Sequence, residues 1–235
     1  MSVPVMRTIG ILGGMSWESS AQYYALINQG VQARLGGIAS AKILMHSVEF
    51  AEMARRQAAG EWDALGAQLG EAAAGLEQAG ADAIVIATNT MHLVAPAVEA
   101  AISIPLLHIA DPLGAALRKA GHKRVGLLAT RFTMEKPFYA DRLAAHGVEV
   151  VIPEEAEREE LHRIIFEELC AGDVRGSSQR FAHGVIKRMQ AQGVPAVALA
   201  CTELMLLIKP EVTALPLFDT TTLHCAAAVD FALVP

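Results

Sequence analysis

Two side chains that carry exchangeable protons, Thr88 and Cys201, each come directly after a short apolar run. A free thiol has a pKa of about 8.5 and can act as an acid or a base near neutral pH, whereas a hydroxyl is a far weaker acid. One such group can remove a proton from a carbon atom while the other delivers a proton to the opposite face. The pair therefore predicts proton exchange at carbon, with Cys201 as the group that more readily loses its proton and acts as the base.

The two residues occupy matching positions in an internal repeat. Three segments recur in the same order, and the pairs are 8–13 with 124–129, 80–88 with 193–201, and 104–107 with 215–218. Their offsets of 116, 113 and 111 residues are nearly constant. A repeat of this size indicates two homologous halves.

The elements that must position these residues follow from the alternation of short apolar runs with longer amphipathic segments. Strands are predicted at Thr8–Leu12, Lys42–His46, Ala83–Ala87, Leu106–His108, Arg124–Leu128, Val148–Ile152, Ala196–Ala200 and Pro216–Phe218. Helices are predicted at Trp17–Arg34, Asp63–Gln78, Ala95–Ala101, Leu113–Ala120, Pro137–His146, Arg158–Cys170, Ser177–Gln192 and Thr221–Phe231. Gly80 and Gly193 stand where a helix gives way to a strand, as C-cap glycines do.

This alternation predicts an α/β protein with two homologous, doubly wound parallel-sheet halves. The halves are residues 1–115 and 116–235, and the C-terminal helix is expected to pack on the first. Ligands of such sheets bind outside the carboxyl ends of the strands. We therefore expect the active site in the cleft between the halves, with Thr88 and Cys201 facing each other and Met15 and Ser16 lining it.

Composition excludes several classes of partner. The net charge is −6 and no Lys/Arg run is present, so nucleic acid and membrane surfaces are not expected partners. The longest apolar stretch is too short and too polar to span a bilayer. The first seven residues lack a signal-peptide pattern, and the three cysteines are odd in number and widely spaced, which favours a cytoplasmic location. Neither metal-ligand spacing nor a dinucleotide-binding loop is present.

Several motifs in order resemble those of aspartate/glutamate racemases over essentially the whole chain. The two that contain the paired residues are ATNTMH at 87–92 and ACTE at 200–203. The others are 13–19, 46–50, 60–63, 108–111, 129–134, 164–169 and 218–219. Within the family, the chain is most similar to bacterial broad-specificity amino-acid racemases that carry this ATNTMH motif.

The resemblance implies cofactor-independent racemisation of an amino acid, aspartate/glutamate or broader, by two bases and without pyridoxal phosphate or a metal. Most members use two cysteines, whereas Thr88 here replaces the first, leaving Cys201 as the thiol. A short helix from Glu203 is expected to stabilise the Cys201 thiolate through its N-terminus. The expected partners are a small amino-acid substrate and a second copy in a homodimer. The implied substrate-binding set is Met15, Ser16, Gln57, Asn89, Thr90, Thr130, Thr133, Thr202 and Glu203.

Two departures from the family pattern leave alternatives open. The helix near Arg158 often starts with a lysine suited to a distal carboxylate, and the matching position here is Glu160, which favours a broader or non-acidic substrate range. With a single thiol, the chain could instead be a decarboxylase or cis–trans isomerase of the same superfamily. A non-catalytic amino-acid-binding protein is the third reading. Cys170 and Cys225 are interpreted as core or surface residues without a catalytic role. His92 either orients the site or bonds to backbone.

Overall fold

The computed structural model describes residues 6–209, 211 and 213–233. The chain forms two compact units, of which the first combines the residues up to Ile109 with those from His224 onward, and the second is Ala110–Leu223. The first boundary falls between Ile109 and Ala110, whereas the sequence suggested residue 115. Residues 1–5, on which much of the signal-peptide prediction rests, lie outside the described residues.

The first unit contains a parallel sheet ordered β2-β1-β3. Its strands are β1 (Ile9–Gly13), β2 (Ile43–Ser47) and β3 (Ala83–Ile86). Its helices are α1 (Trp17–Leu35), α2 (Phe50–Ala59), α3 (Trp62–Gln78), a 3-10 helix (Thr90–Val94) and α4 (Ala95–Ala101). Leu106 adds a single parallel bridge to Ile84 beside β3.

The second unit contains a parallel sheet ordered β5-β4-β6-β7. Its strands are β4 (Arg124–Ala129), β5 (Glu149–Val151), β6 (Val197–Ala200) and β7 (Leu217–Asp219). Its helices are α5 (Ala110–Lys119), α6 (Arg131–Glu135), α7 (Pro137–Ala145), α8 (Glu155–Arg163), a π-helix (Ile164–Glu168), a 3-10 helix (Leu169–Ala171), α9 (Gly176–Ala191) and α10 (Leu204–Leu207). The last helix, α11 (Thr220–Leu233), begins in the second unit and belongs to the first from His224 onward.

The two sheets share one topology. The central strands β1 and β4 each pair with the following strand on one side and with β3 or β6 on the other. The bridge at Leu106 beside β3 corresponds to β7 beside β6. The predicted α/β fold with two parallel-sheet halves is therefore confirmed. Gly80 and Gly193 have φ values of +100° and +77°, the left-handed conformation expected where α3 and α9 end.

Both faces of the first sheet are buried. Ile9, Ile11 and Val85 pack in a cluster with α1 and α11 on one face. Leu12 and Ile84 pack in a second cluster with α2, α3 and α4 on the other. Because side chains alternate along a strand, near-continuous apolar strands are what a sheet covered on both sides requires. No helix in the described part of the chain is both long and apolar enough to cross a membrane.

Three sequence predictions of elements need correction. The strand at Leu106–His108 is reduced to one bridge, and the chain enters α5 at Ala110. The helix α2 was not predicted. The segment Arg158–Cys170, predicted as one α-helix, is an α-helix, a π-helix and a 3-10 helix in succession.

Candidate functional site

In the first unit, β1 and β3 end side by side. Leu12 pairs with Ile86, so the turn after β1 lies next to the residues that follow β3. Gly14 has a φ of +88°, and a Cβ added there would lie 2.2 Å from the carbonyl oxygen of Val48. The turn is thus restricted to glycine by conformation and by space.

Serine hydroxyls of α1 hold this edge together. The Ser20 hydroxyl accepts the Gly14 N–H at 2.7 Å. The Ser19 hydroxyl donates to the Ala87 carbonyl at 2.8 Å. The second bond fixes the backbone of the residue immediately before Thr88 to the N-terminal turn of α1.

The predicted substrate-binding residues of the first unit are buried at or near this edge. Met15 and Ser16 are each 4% exposed in the turn after β1, and Ser16 caps α1. Asn89 and Thr90 follow β3 and are 3% and 5% exposed. Gln57 of α2 is also buried, and its amide donates to the Met91 sulfur at 3.2 Å. That contact joins α2 to the 3-10 helix after Thr90.

Thr88 is half-buried and its backbone is bound by His92. The His92 Nδ1–H donates to the Thr88 carbonyl at 2.8 Å. The other ring nitrogen, Nε2, accepts the Ile109 N–H at 3.2 Å. The structure thus shows the backbone bonding that was one of the two interpretations of His92 in the sequence analysis.

A group of three histidine rings surrounds this point. The ring centroids of His108 and His224 lie 4.6 and 5.7 Å from that of His92. Burial first, and then these two neighbours, hold the pKa of His92 well below its usual range. His92 is neutral at physiological pH, which its acceptor role at Nε2 requires.

In the second unit, β4 and β6 end side by side in the same way. Ala129 pairs with Ala200, so Thr130 and Cys201 are the next residues on adjacent strands. Thr130 caps α6 by accepting the Thr133 N–H at 3.4 Å, and the two hydroxyls lie 3.2 Å apart. Both threonines are buried. The structure brings the predicted residues of this unit to one sheet edge.

Cys201, Thr202 and Glu203 form one hydrogen-bonded group. The Cys201 thiol donates to Glu203 Oε2 at 3.0 Å. The Thr202 hydroxyl donates to the same oxygen at 2.7 Å. All three residues are buried. The sequence analysis placed Glu203 among the substrate-binding residues and did not foresee that its carboxylate accepts the thiol proton.

The expected stabilisation of the Cys201 thiolate by the backbone at the start of α10 is outweighed by opposing effects. Burial is the largest of the effects that raise the pKa of Cys201 well above its usual value, followed by the Glu203 carboxylate. The Glu203 backbone N–H acts in the opposite direction but is outweighed. The helix α10 has four residues and supplies little compensation. Cys201 therefore rests as a thiol.

The structure gives Cys170 and Glu160 partners that the sequence analysis did not name. Cys170 packs against the apolar cluster that contains Cys201 and contributes to the raised pKa of that thiol. Glu160, at the position where a lysine was expected, is bound by the Arg163 guanidinium through contacts of 2.7 and 2.8 Å. This ion pair could have been predicted from the sequence, because residues three apart on a helix, such as Glu160 and Arg163, are neighbours on its surface.

A histidine stands beside Thr130 as well. The backbone N–H of Arg131 donates to His162 Nδ1 at 3.3 Å. Burial and the Arg131 charge lower the pKa of His162. Among the residues that the structure describes, no three His, Cys, Asp or Glu side chains are grouped to hold a metal ion.

Each unit thus presents buried polar side chains at the carboxyl edge of a sheet, beside a residue with an exchangeable proton. Residues 12–228 match the sequence profile of the Asp/Glu/hydantoin racemase family. The chain belongs to this family. The racemase fold also extends over nearly all of the chain, as comparison with solved structures shows.

Two solved structures with substantial sequence identity are similar to this racemase-family chain throughout. A candidate Asp/Glu racemase from Yersinia pestis is 47% identical, with a TM-score of 0.91 over 97% of this chain and 100% of that one. An aspartate racemase homologue from Pyrococcus horikoshii is 33% identical, with a TM-score of 0.81 over 97% and 99%. The aspartate racemase of Picrophilus torridus, at 22% identity and a TM-score of 0.75 over 96% and 94%, shows the shared fold.

Proposed function

We propose that this chain interconverts the enantiomers of an amino acid by removing and returning the α-proton, with Thr88 and Cys201 as the two proton-transfer groups. The observation that carries the proposal is their position. Each is the residue with an exchangeable proton that follows the third strand of its own sheet, β3 or β6, in two units of one topology. Family membership supports the same chemistry.

The two groups have different roles because they differ in acidity. Cys201 removes the α-proton of one enantiomer, and the Thr88 hydroxyl supplies a proton to the opposite face of the planar carbanion. The reverse reaction exchanges these roles. A free thiol has a pKa of about 8.5, and the pKa of a hydroxyl such as that of Thr88 is several units higher, so Thr88 is the weaker acid. We therefore place this chain with the Thr/Cys racemases, and the two directions are expected to differ in rate.

Substrate recognition rests on short neutral donors. Asn89 and Thr90 follow β3, and Thr130 and Thr133 follow β4, in buried positions. Hydroxyl and amide N–H groups can hold the α-carboxylate without raising the charge of the site. The Yersinia pestis and Pyrococcus horikoshii relatives carry the names Asp/Glu racemase and aspartate racemase homologue. We infer an amino-acid range that includes aspartate or glutamate and extends beyond them, because the family's distal lysine position is Glu160 here.

Exchange of the α-proton with solvent deuterium tests this function. The enzyme is incubated in D₂O with each L- and D-amino acid in turn, and deuterium at the α-carbon is measured by NMR alongside optical rotation. A racemase exchanges both enantiomers of its substrate. The second candidate is a decarboxylase that uses a single thiol, because only one of these two strand ends carries a thiol. Release of CO₂ from a dicarboxylic acid with no racemisation would identify that activity instead.

Thr88→Ala separates the two proton-transfer groups. Cys201 alone can remove and return a proton on its own face, so T88A is expected to exchange the α-proton of one enantiomer and to racemise at least about 100-fold more slowly. Deuterium incorporation is measured for each enantiomer separately. Equal residual exchange from both enantiomers would show that Thr88 is not specific to one face, and the paired assignment would be abandoned.

A further inference from the structure

A buried polar group of the first unit lies next to the loop that carries Thr88. It consists of the rings of His92, His108 and His224 and the hydroxyl of Tyr23, and all four residues are at most 7% exposed. The proposed proton transfer uses none of them directly. Burying polar rings costs free energy that hydrogen bonds only offset, and apolar side chains would fill the same space. What these residues add to packing is the direction of their hydrogen bonds.

The ring of His224, in α11, carries its proton on Nε2. This nitrogen lies 2.6 Å from the carbonyl oxygen of Leu107, which can only accept, so Nε2–H is the donor. The other nitrogen, Nδ1, lies 2.8 Å from the hydroxyl of Tyr23, in α1. Because burial favours the neutral ring, Nδ1 accepts, and the Tyr23 O–H donates to it. Two partners on opposite edges of the imidazole thus set its orientation.

His224 and His92 bind the same short segment of the first unit. His224 donates to the carbonyl of Leu107. Two residues on, the N–H of Ile109 donates to His92 Nε2 at 3.2 Å. Between these two bonds, the ring of His108 packs edge-on against that of His92, with 4.6 Å between the centroids. The segment is also attached to β3, since the Leu107 N–H donates to a carbonyl of that strand at 2.9 Å. It is therefore a fixed support for the His92 ring.

From this support the His92 ring reaches the proton-transfer residue. Its Nδ1–H donates to the carbonyl of Thr88 at 2.8 Å. In the second unit the matching carbonyl, that of Cys201, accepts the backbone N–H of Leu204 at 3.1 Å. The bond to Cys201 thus comes from the backbone of the next turn, whereas the bond to Thr88 comes from a side chain that is itself held by residues 107–109.

We propose that His224 is a positioning residue for Thr88. It fixes the Leu107 carbonyl and with it the segment up to Ile109. That segment orients His92, which in turn fixes the backbone of Thr88. The role rests on the proposed function of Thr88 and extends it, because the hydroxyl must lie within reach of one face of the α-carbon. A displacement of about 1 Å in such a group can lower the rate by about 100-fold.

The first test needs no substrate, so it stands even if the racemase assignment fails. Amide hydrogen exchange is followed by NMR in His224→Leu, which cannot donate to Leu107, and in His224→Gln, whose side-chain N–H can replace Nε2–H. H224L should speed the exchange of the Ile109 N–H at least about tenfold relative to that of Ile11 in β1, which reports the unit as a whole. H224Q should restore slow exchange. Unchanged protection of Ile109 in H224L would overturn the proposal.

The second test measures deuterium incorporation at the α-carbon of each enantiomer in D₂O at saturating substrate. H224L should lower racemisation at least about tenfold and should slow exchange of one enantiomer, the one whose α-proton Thr88 removes. Exchange of the other enantiomer through Cys201 should stay within about twofold. H224Q should regain most of the lost activity. Equal losses for both enantiomers would indicate general damage to the fold, and they would contradict the proposal, as would full activity of H224L.

His122→Leu is the matched control. His122 is a half-buried histidine that precedes β4, at the other end of that strand from Thr130, and H122L should leave both measurements unchanged. If H224L does not fold, Tyr23→Phe takes its place, because it removes only the hydroxyl that orients the His224 ring. Y23F should show the same one-sided loss of exchange at smaller size, and a symmetric loss or no loss would overturn the proposal.

Discussion

The tautomer of His92 is set by its two backbone partners. Nδ1 donates to the Thr88 carbonyl and Nε2 accepts the Ile109 N–H, so the ring proton is on Nδ1. A protonated ring would face the Ile109 N–H with a second donor, and burial already disfavours the charge. One side chain thus connects the loop that carries Thr88 to the segment that precedes α5.

Cys201 is expected to be the thiol on which activity depends. Cys201→Ala removes the group assigned to proton transfer and should lower racemisation at least about 100-fold. Iodoacetamide should inactivate the unaltered enzyme by modifying Cys201, faster as the pH rises because the pKa of this thiol is raised, and substrate should slow the reaction. Cys225→Ala, a buried thiol of the first unit, is the matched control and should keep its activity.

Residual activity of C201A above a few per cent would contradict the assignment. So would inactivation by iodoacetamide that leaves the Cys201 peptide unmodified.

The segment from α8 through the π-helix to α9 is organised around one buried carboxylate. Glu168, the last residue of the π-helix, is 1% exposed. It accepts a hydrogen bond from Ser178 at 2.6 Å and is paired with Arg163 at 2.7 Å and Arg175 at 3.4 Å. A π-turn places one extra residue in the helix, and here the irregular stretch ends with the carboxylate among these donors.

Glu168→Gln should lower the free energy of unfolding by about 2 kcal/mol at pH 7, because charged hydrogen bonds to a buried group are lost. The Ser178 hydrogen bond is the largest of the effects that lower the pKa of Glu168 in the folded state. Its stabilisation is therefore present above the unfolded pKa of about 4.3 and is lost as the pH falls through the lower folded pKa. Urea denaturation at pH 7 and at pH 3 measures both quantities.

The difference between the two proteins should shrink at pH 3. A difference that stays constant with pH would show that the Glu168 charge does not contribute. Glu167→Gln provides the control, since the Glu167 side chain is 67% exposed and reaches Arg163 at 3.5 Å, and such surface pairs contribute little.

The order and type of most elements could be predicted from the sequence, because apolar strands and amphipathic helices differ in period. The π-helix could not, since one extra residue in a turn changes the backbone bonding without changing the apolar pattern of residues 164–169. The helix α2 was not predicted either, because its N-cap is Glu49, which is not among the usual capping residues. Thr88 and Cys201 were found through the repeat, whereas the Glu203–thiol contact depends on side-chain direction.

At the scale of the whole molecule, one sheet topology occurs twice with different chemistry at its edge. The third strand of one sheet leads to a half-buried hydroxyl, and that of the other leads to a buried thiol. Three strands of each sheet correspond in order, while only the second unit places a carboxylate beside its proton-transfer group among the described contacts. Matching positions therefore do not imply equal acidity, and the difference arises from the residues after each strand.

Activity should survive the removal of cofactors, because each proton step is assigned to a side chain of the chain. Enzyme dialysed extensively against a chelator and treated with hydroxylamine, which removes pyridoxal phosphate, should keep its full rate of racemisation by polarimetry. A matched sample dialysed without these reagents is the reference. Loss of activity that a divalent ion or pyridoxal phosphate restores would contradict the assignment.

The crossing of α11 from one unit to the other has a consequence for synthesis on the ribosome. Val229 and Ala232 of this helix pack with Ile9 and Ile11 of β1, so the first unit lacks part of its core until residue 232 has been translated. The second unit is continuous, Ala110–Leu223, and its residues emerge from the exit tunnel before those that complete the first. Although chains generally fold from the N-terminus as they emerge, here the half translated first is the last to be completed.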